Sequence, residues 1–147
     1  MKWSEAKSGR VFILRLEEGE VIHEEIEKFA SDMGISSGYV LILGGAGKGS
    51  RVVVGPEDQE ADRILPMEAV LENAYEVAGV GTLFPNSDGK IVLHLHASFG
   101  RDGKSITGCI RRGVKTWLVL EVIIHEIKSS GAVRLFDKKT GFEILEP

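Results

Sequence analysis

The chain has 147 residues, of which 43% are hydrophobic and 27% are charged, a balance that is ordinary for a globular protein with a packed core. This length fits one domain, which we take to span residues 1–147. The net charge of −4 excludes a global field that would attract DNA or RNA, so any nucleic-acid role needs a local basic patch.

Cysteine usage and the apolar runs favour a cytoplasmic protein. Cys109 is the single Cys and cannot form an intrachain disulfide, and the opening MKWSEAKSGR holds no apolar segment that could serve as a signal peptide. The longest apolar runs, YVLIL at 39–43 and WLVLEVII at 117–124, are too short to cross a bilayer. We therefore expect a cytoplasmic location and no membrane segment.

The first part of the chain predicts a strand followed by the main helix. RVFILRL at 10–16 is rich in apolar and β-branched residues, and the acidic EEGE after it suits a helix N-terminus. We predict a helix from about residue 19 to residue 33, ended by Gly34 in the left-handed cap position. The apolar positions that recur with the helical period are Ile22, Ile26, Phe29, Ala30 and Met33.

After the helix, short apolar runs alternate with Gly, Pro, Asn and Asp turn signals and predict strands. The fold class is therefore α+β, with one main helix laid on a largely antiparallel or mixed β-sheet. The segment 57–72 fits either a strand or a short helix starting near Pro66, and we expect a tail after DKKTG. The predicted strands are GYVLILGG, SRVVVG, AYEVAGVGTLF, KIVLHLHASFG, KSITGCI, GVKTWLVLEVIIHEI and AVRLFD.

Two of these strands indicate how the protein assembles. YVLIL and WLVL are apolar on both faces, so both of their faces need cover. One helix covers only part of one face, so the remaining cover comes from a second layer of sheet or from another subunit. We predict a homo-oligomer; the alternative is a closed or folded-over sheet in a monomer.

The glycine-rich stretch GGAGKGS at 44–50 does not match a phosphate-binding motif. Gly47-Lys48 is followed by Gly49 rather than Ser or Thr, and no register gives G-x-G-x-x-G. A tight connection between two strands accounts for the glycines. The alternative is an anion cradle made of backbone N–H groups, in which Lys48 would add a charge.

The stretch HLHASFGRDGKSITGC at 94–109 predicts a hairpin that gathers three metal-ligand side chains. His94 and His96 are two residues apart on a strand and so project from one face. A two-residue turn at Asp102-Gly103 places Cys109 directly opposite His96, on the same face. A register shifted by two moves the partner to His94, whereas a three-residue loop turns Cys109 to the other face.

Two imidazoles and a thiolate at this separation suit a divalent metal, and zinc best among common ions. Three protein ligands leave a fourth position for water, a substrate or a neighbour's side chain, as in catalytic zinc sites. The alternative is that His94 and His96 merely share a strand and that Cys109 is a small buried hydrophobe. His23 and His125 are predicted to be ordinary surface histidines.

Glu121 interrupts the apolar WLVLEVII, and a carboxylate in a buried strand needs a partner. It is a candidate general acid/base or a further ligand; the alternative is a structural ion facing Arg111, Arg112 or Lys115. If the metal is catalytic, Arg111 or Arg112 is the candidate anion anchor.

The chain as a whole resembles the PPC (plant and prokaryote conserved) domain family, also described in prokaryotes as DNA-binding proteins with a PD1-like motif. The resemblance covers nearly all of the sequence, and its specificity comes from the order and spacing of the pieces. They are GRVFILRLEEGE, ISSGYVLILGGAGKGSRVVVG, HLHASFGRDGK, TGCIRRGVKTWLVLEVII and FDKKTGFEIL.

The resemblance implies a stand-alone prokaryotic domain with a largely antiparallel sheet and assembly as a homotrimer. In many family members this hairpin looks like H-x-H followed by Gly-Gly-His. The three histidines then form a site that can hold zinc. His94 and His96 match the first two histidines, and Cys109 stands where the third falls. The fold is similar to that of α-acetolactate decarboxylase, which supports an enzyme by analogy only.

Two functional hypotheses follow. The first is a small cytoplasmic homotrimer that binds zinc or another divalent metal through His94, His96 and Cys109, with its activity undetermined. The second is a binding module without catalysis, acting in transcription, protein assembly or on DNA. Plant members are joined to AT-hook peptides with an Arg-Gly-Arg core, which this chain lacks, so the residues give DNA binding little support.

Overall fold

The protein was analysed as a computed structural model that describes residues 1–61 and 64–147. Its described part contains one α-helix and ten β-strands. They are β1 (Lys7–Glu17), α1 (Ile22–Asp32), β2 (Gly38–Ala46), β3 (Arg51–Pro56), β4 (Pro66–Val70), β5 (Tyr75–Pro85), β6 (Ile91–Arg101), β7 (Lys104–Cys109), β8 (Thr116–Lys128), β9 (Val133–Asp137) and β10 (Phe142–Glu146).

Eight strands form one sheet in the order β1-β8-β2-β5-β6-β7-β3-β4, and β9 pairs with β10 in a separate two-stranded sheet. The neighbouring strands are antiparallel throughout, so the predicted α+β class with a largely antiparallel sheet is confirmed. In the ambiguous segment 57–72, a strand rather than a helix starts at Pro66. Residues 62 and 63 of that segment lie outside the described residues.

The helix begins three residues later than predicted because the chain before it is still bonded to the lead-in of β8. Gly19 N–H donates to the Thr116 carbonyl and Ile22 N–H to the Val114 carbonyl. Gly34 has φ of 64°, which confirms it as the left-handed cap. Met33 was predicted on the apolar face, but it follows the last helical turn and is exposed.

The core lies between α1 and one face of the large sheet. Ile22, Ile26 and Ala30 of the helix are fully buried against that face. Alternate residues of the central strands point toward the helix, as period-two alternation requires. The buried sheet residues include Val40, Ile42, Leu83, Leu93, Leu95, Phe99, Leu120, Val122 and Ile124.

The opposite face of β1, β8, β2 and β5 is apolar and uncovered in the single chain. Antiparallel register lines up Ile13, Ile123, Leu41 and Val80 in one row across the four strands. Val80 is 59% exposed and Ile13 is 83% exposed. We call this surface the outer apolar face; its residues are Val11, Ile13, Tyr39, Leu41, Leu43, Val80 and Ile123.

The glycine-rich connection between β2 and β3 is a tight structural turn, as predicted. A Cβ at Gly45 would lie 2.5 Å from the Trp117 carbonyl oxygen, so only glycine permits this approach of β2 to β8. The N–H groups of Gly47 and Gly49 donate to the carbonyls of Lys115 and Leu71. Because these donors are already used, they are not available to cradle an anion.

The predicted C-terminal tail is wrong, because residues 142–146 form β10 and fold back on β9. The turn between them is held by the Asp137 carboxylate, which accepts hydrogen bonds from the Lys139 N–H, the Thr140 N–H and, at 2.8 Å, the Thr140 hydroxyl. Gly141, with φ of 73°, completes the turn. The sequence DKKTG is therefore a hairpin turn rather than the start of a loose end.

No helix among residues 1–61 and 64–147 has the length and apolar character needed to cross a membrane.

An ion pair ties the start of β1 to the end of β8. The buried Glu126 carboxylate accepts hydrogen bonds from the Arg10 Nε at 2.9 Å, the Arg10 N–H at 3.0 Å and the Arg10 Nη2 at 2.8 Å. The side-chain hydrogen bond from Arg10 is the main cause that lowers the pKa of Glu126 to about 2. The folded state therefore favours the ionised carboxylate.

We expect Glu126→Gln to lower the free energy of unfolding at pH 7 and to flatten its dependence on pH in acid. A depressed folded-state pKa stabilises the fold above the ordinary carboxyl pKa, and this stabilisation is lost as the pH falls from about 4.5 toward 2. Urea unfolding at pH 7 and pH 3, at fixed protein concentration, measures both effects. Glu72→Gln, at an exposed carboxylate, is the control; equal pH dependence in wild type and Glu126→Gln would refute the assignment.

Candidate metal centre

The hairpin of β6 and β7 has the predicted two-residue turn. Asp102 and Gly103 have φ of 51° and 70°, the pair of positive angles that a type I′ turn requires. His96 consequently pairs with Cys109, and Arg101 pairs with Lys104. This register confirms the first of the three geometries considered and excludes the other two.

Three potential ligand atoms, one from each of His94, His96 and Cys109, lie within 4.8 Å of one another. The two Nε2 atoms of the histidines are 3.2 Å apart, and their rings meet edge to face with centroids separated by 5.0 Å. Ligands at zinc bond lengths in a tetrahedron are about 3.3–3.8 Å apart. The donor set therefore suits a tetrahedral metal with one position left for a further ligand, and the separation of the two Nε2 atoms is close to that spacing.

Neighbouring strands hold Cys109 at the base of this cluster. Cys109 is buried, whereas both histidines are exposed. It is paired with Val53 of β3 as well as with His96, and the adjacent Gly108 allows β3 to come close. A Cβ at Gly108 would lie 2.2 Å from the Val53 carbonyl oxygen. The thiol is thus fixed by backbone packing, with the imidazoles above it.

The cluster opens into a cleft with a volume of about 890 Å³. The cleft forms where β7 ends and the sheet opens, between the ends of β3, β4 and β6, the helix and the C-terminal hairpin. Its apolar walls come mainly from the hairpin and from β6. The residues that line the cleft include His23, Glu27, Val92, His94, His96, Cys109, Arg111, Arg112, Arg134, Phe136, Phe142, Glu143 and Ile144.

Positive charge surrounds His94. His94 is exposed but partly desolvated by the protein around it, which is the main cause that lowers its pKa, and the charges of Arg134, His96 and Arg111 lower the pKa further. A lowered pKa keeps the imidazole neutral at physiological pH, which is the form that binds a metal.

The two arginines predicted as anion anchors both line the cleft, but they have other contacts. Arg112 Nε lies 3.0 Å from a carboxylate oxygen of Glu68, and the other oxygen of that carboxylate pairs with Arg51 at 3.1 Å. The Arg111 guanidinium carbon is 5.7 Å from the centre of the Phe142 ring. Of the two, Arg112 shares a carboxylate, whereas Arg111 has no carboxylate partner among residues 1–61 and 64–147.

Glu121 is on the outer side of the sheet but not at the cleft of its own chain. Glu121 is exposed and pairs with Leu43 of β2. The row of paired residues continues across the sheet to Ala78 of β5 and Ser98 of β6, so it does not reach His96. Three strand spacings separate β8 from β6, which is about 14 Å. Arg15, rather than Arg111, Arg112 or Lys115, lies opposite it on β1.

Sequence reasoning missed two polar residues of the cleft. Arg134 of β9 is 5% exposed and sits among the cleft residues, and His23 of α1 also lines the cleft rather than open surface. His125 does not line the cleft; its ring nitrogens form hydrogen bonds with the Ser8 hydroxyl at 2.6 Å and the Tyr39 hydroxyl at 2.9 Å. Nothing in the alternating pattern of AVRLFD distinguishes Arg134 from an ordinary strand arginine, because the hairpin that buries it was not predicted.

By its architecture the protein is an α+β domain in which the one described helix packs on a large antiparallel sheet. The chain belongs to the Plants and Prokaryotes Conserved (PCC) domain family, whose model matches residues 3–128. This confirms the family resemblance seen in the sequence. No curated protein matches the sequence.

Solved structures with the same fold cover almost the whole chain. A metal-containing protein from Archaeoglobus fulgidus is 26% identical with a TM-score of 0.81, and 98% of each chain is covered. A PPC protein from Pyrococcus horikoshii is 23% identical with a TM-score of 0.84, covering 100% of this chain and 98% of that one. A protein from Bacteroides thetaiotaomicron described as a candidate for DNA binding is 16% identical with a TM-score of 0.77, covering 95% and 96%.

The predicted relation to the α-acetolactate decarboxylase fold is confirmed at the level of fold. The enzyme from Bacillus subtilis is 18% identical with a TM-score of 0.50, and the match covers 84% of this chain and 55% of that one. At this identity the likeness concerns chain topology alone.

Proposed function

We propose that this protein is a cytoplasmic metal-binding protein that holds zinc, or another divalent transition metal, through His94, His96 and Cys109. The observation that carries the proposal is that the three ligand atoms lie within 4.8 Å of one another on a hairpin whose register fixes them. The metal-containing relative from Archaeoglobus fulgidus supports it. The mixed nitrogen and sulfur donors favour zinc.

All three ligand residues line the cleft, so a metal held there would be accessible to a small molecule rather than enclosed in a purely structural site. A bound zinc supplies Lewis acidity and can activate water. The chain's own part is to orient the imidazoles, to place apolar walls beside them, and to place positive charge near the metal position. Glu121 keeps its predicted proton-transfer role only where a neighbouring subunit brings it to the cleft.

The outer apolar face supports assembly as a homotrimer, the state that the family resemblance implies. Seven apolar side chains on four adjacent strands form a contiguous surface, which is large for a face left to water. The same face leads to the metal ligands, because Val80 lies directly opposite His96. Packing of copies over this face would bring a second chain close to the cleft.

The test of the metal proposal is the metal content per chain after purification without a histidine tag or added metal. We expect close to one zinc per chain in wild type and a large loss in Cys109→Ala. His125→Ala is the matched control, because His125 is on the same side of the sheet but bonds Ser8 and Tyr39. Wild type that remains free of metal after zinc is supplied would contradict the proposal.

A role in DNA binding is the alternative function, and the candidate DNA-binding relative is what favours it. The net charge of −4 and the apolar character of the outer face weigh against it. Affinity for duplex DNA that falls steeply between 50 and 200 mM salt would support this alternative, since phosphate contacts release counterions (about a thousandfold loss or more for several contacts). Absence of binding at low salt would remove it.

A further inference from the structure

The strongest unexplained feature of the cleft is a buried arginine. Arg134 is 5% exposed, and among the described residues its Nε has no hydrogen-bond partner. Burying a guanidinium without full hydrogen bonding costs free energy, because the group loses its water. A group with these properties that lines a cleft is typical of a site completed by a ligand.

Two contacts hold this guanidinium in place. Arg134 Nη2 donates to the Thr82 hydroxyl at 2.8 Å, and its guanidinium carbon is 5.8 Å from the centre of the Phe84 ring. Both partners belong to β5, so the side chain is fixed against the sheet. The Nε–H is thereby left as a donor in a defined position.

Register places this donor beside the metal ligands. Thr82 lies directly opposite His94 on β6, and directly opposed residues have Cα atoms about 4.5–5.5 Å apart. The Arg134 charge acts on the His94 imidazole, which agrees with this closeness. A ligand of a few atoms can therefore contact Arg134 and the metal position together.

None of the described acidic groups of the cleft forms a hydrogen bond or an ion pair with Arg134. Glu27 accepts the Leu93 N–H at 2.9 Å and faces Lys90 at 4.0 Å. Glu143 lines the cleft and attracts Arg134, but no hydrogen bond or ion pair joins the two among the described residues. Burial is the main cause that lowers the pKa of Arg134, and the guanidinium still carries its charge.

We propose that the cleft binds a small organic acid, whose carboxylate is held by Arg134 while a second oxygen occupies the open metal position. A guanidinium matches a carboxylate in shape and charge. The apolar walls from Val92, Phe136, Phe142 and Ile144 suit a short hydrocarbon body. This inference rests on the proposed metal site for its second contact only; the Arg134 contact stands without metal.

The test is titration calorimetry with 2-hydroxy-3-methylbutanoate, which has a carboxylate, a neighbouring hydroxyl and a branched apolar group. Its neutral amide is the paired probe. We expect Arg134→Gln to weaken binding of the acid at least tenfold and to leave binding of the amide unchanged. Arg101→Gln is the control, because Arg101 is an exposed arginine that does not line the cleft. Zinc content is measured in every variant.

Zinc-free and zinc-loaded protein separate the two proposals. Dependence on Arg134 that persists in zinc-free protein supports the carboxylate contact even where the metal proposal fails. Equal binding of acid and amide, or unchanged binding in Arg134→Gln, would overturn it. Inorganic phosphate that binds more tightly than the acid and displaces it would show that the anchor serves phosphate instead.

A direct measurement covers the case in which Arg134→Gln does not fold. The Nε–H signal of Arg134 in the wild-type nitrogen-15 spectrum should shift as the acid is added and should stay in place with the amide. Thr82→Val, which removes the hydroxyl that holds Nη2, should weaken acid binding without abolishing it. A signal that does not move in wild type would refute the contact.

Discussion

Replacing His96 by Ala is expected to lower zinc affinity by at least about a hundredfold, since even groups that only orient a ligand change affinity by about 10–100-fold. His96 is the central member of the cluster: it pairs with Cys109 across the hairpin, and its Nε2 lies 3.2 Å from that of His94. Its removal leaves two ligands that cannot close a tetrahedral site. Competition with a chromogenic chelator measures the affinity.

Two controls make this result specific. Ser98→Ala changes the next residue on the same face of β6, which is not a ligand, and should leave the zinc affinity unchanged. Circular dichroism should show that His96→Ala keeps its fold, because the side chain is exposed and supports no core contact. Zinc affinity that survives in His94→Ala, His96→Ala and Cys109→Ala alike would place the metal elsewhere.

Leu41→Asp is expected to convert the proposed trimer into single chains at micromolar concentration. Leu41 is central to the outer apolar face, between Ile123 of β8 and Val80 of β5. A carboxylate buried there at an interface would lose its water without gaining a partner, a penalty of several kcal/mol. Sedimentation equilibrium gives the mass directly.

Val70→Asp is the matched control for this prediction. Val70 is exposed to a similar extent, 48% against 44% for Leu41, but lies on β4 at the far edge of the sheet. It should leave the assembly unchanged. Wild type that sediments as a single chain, or Leu41→Asp that stays trimeric, would contradict the assignment of the interface to this face.

The fold was largely predictable because its signals are local. Strand runs, turn residues and the helical period of Ile22, Ile26 and Ala30 each lie within a few residues of one another. The hairpin was predictable for the same reason: the Asp102-Gly103 turn fixes the register, and the register fixes which side chains share a face. His94, His96 and Cys109 come together within a local stretch of sixteen residues, 94–109.

The rest of the cleft could not be predicted because it depends on contacts between distant segments. Arg134 becomes a site residue only when β9 folds against Thr82 and Phe84 of β5, more than forty residues earlier in the chain. Arg112 pairs with Glu68, which lies on a strand that the sequence left ambiguous. Glu121 interrupts an apolar run, but only the strand order shows that three strand spacings separate it from the histidines' strand.

The two halves of the cleft come from different parts of the chain, and the C-terminal hairpin supplies one of them. The metal ligands lie within the segment that the family model matches, residues 3–128, whereas Arg134, Phe136 and Phe142 come after it. A change of hairpin sequence could therefore alter which small molecule is held without disturbing the ligand set. If the proposed metal site and acid site are correct, relatives with the same three ligands need not hold the same small molecule, and grafting hairpins between them is a route to exchanging selectivity at an unchanged ligand set.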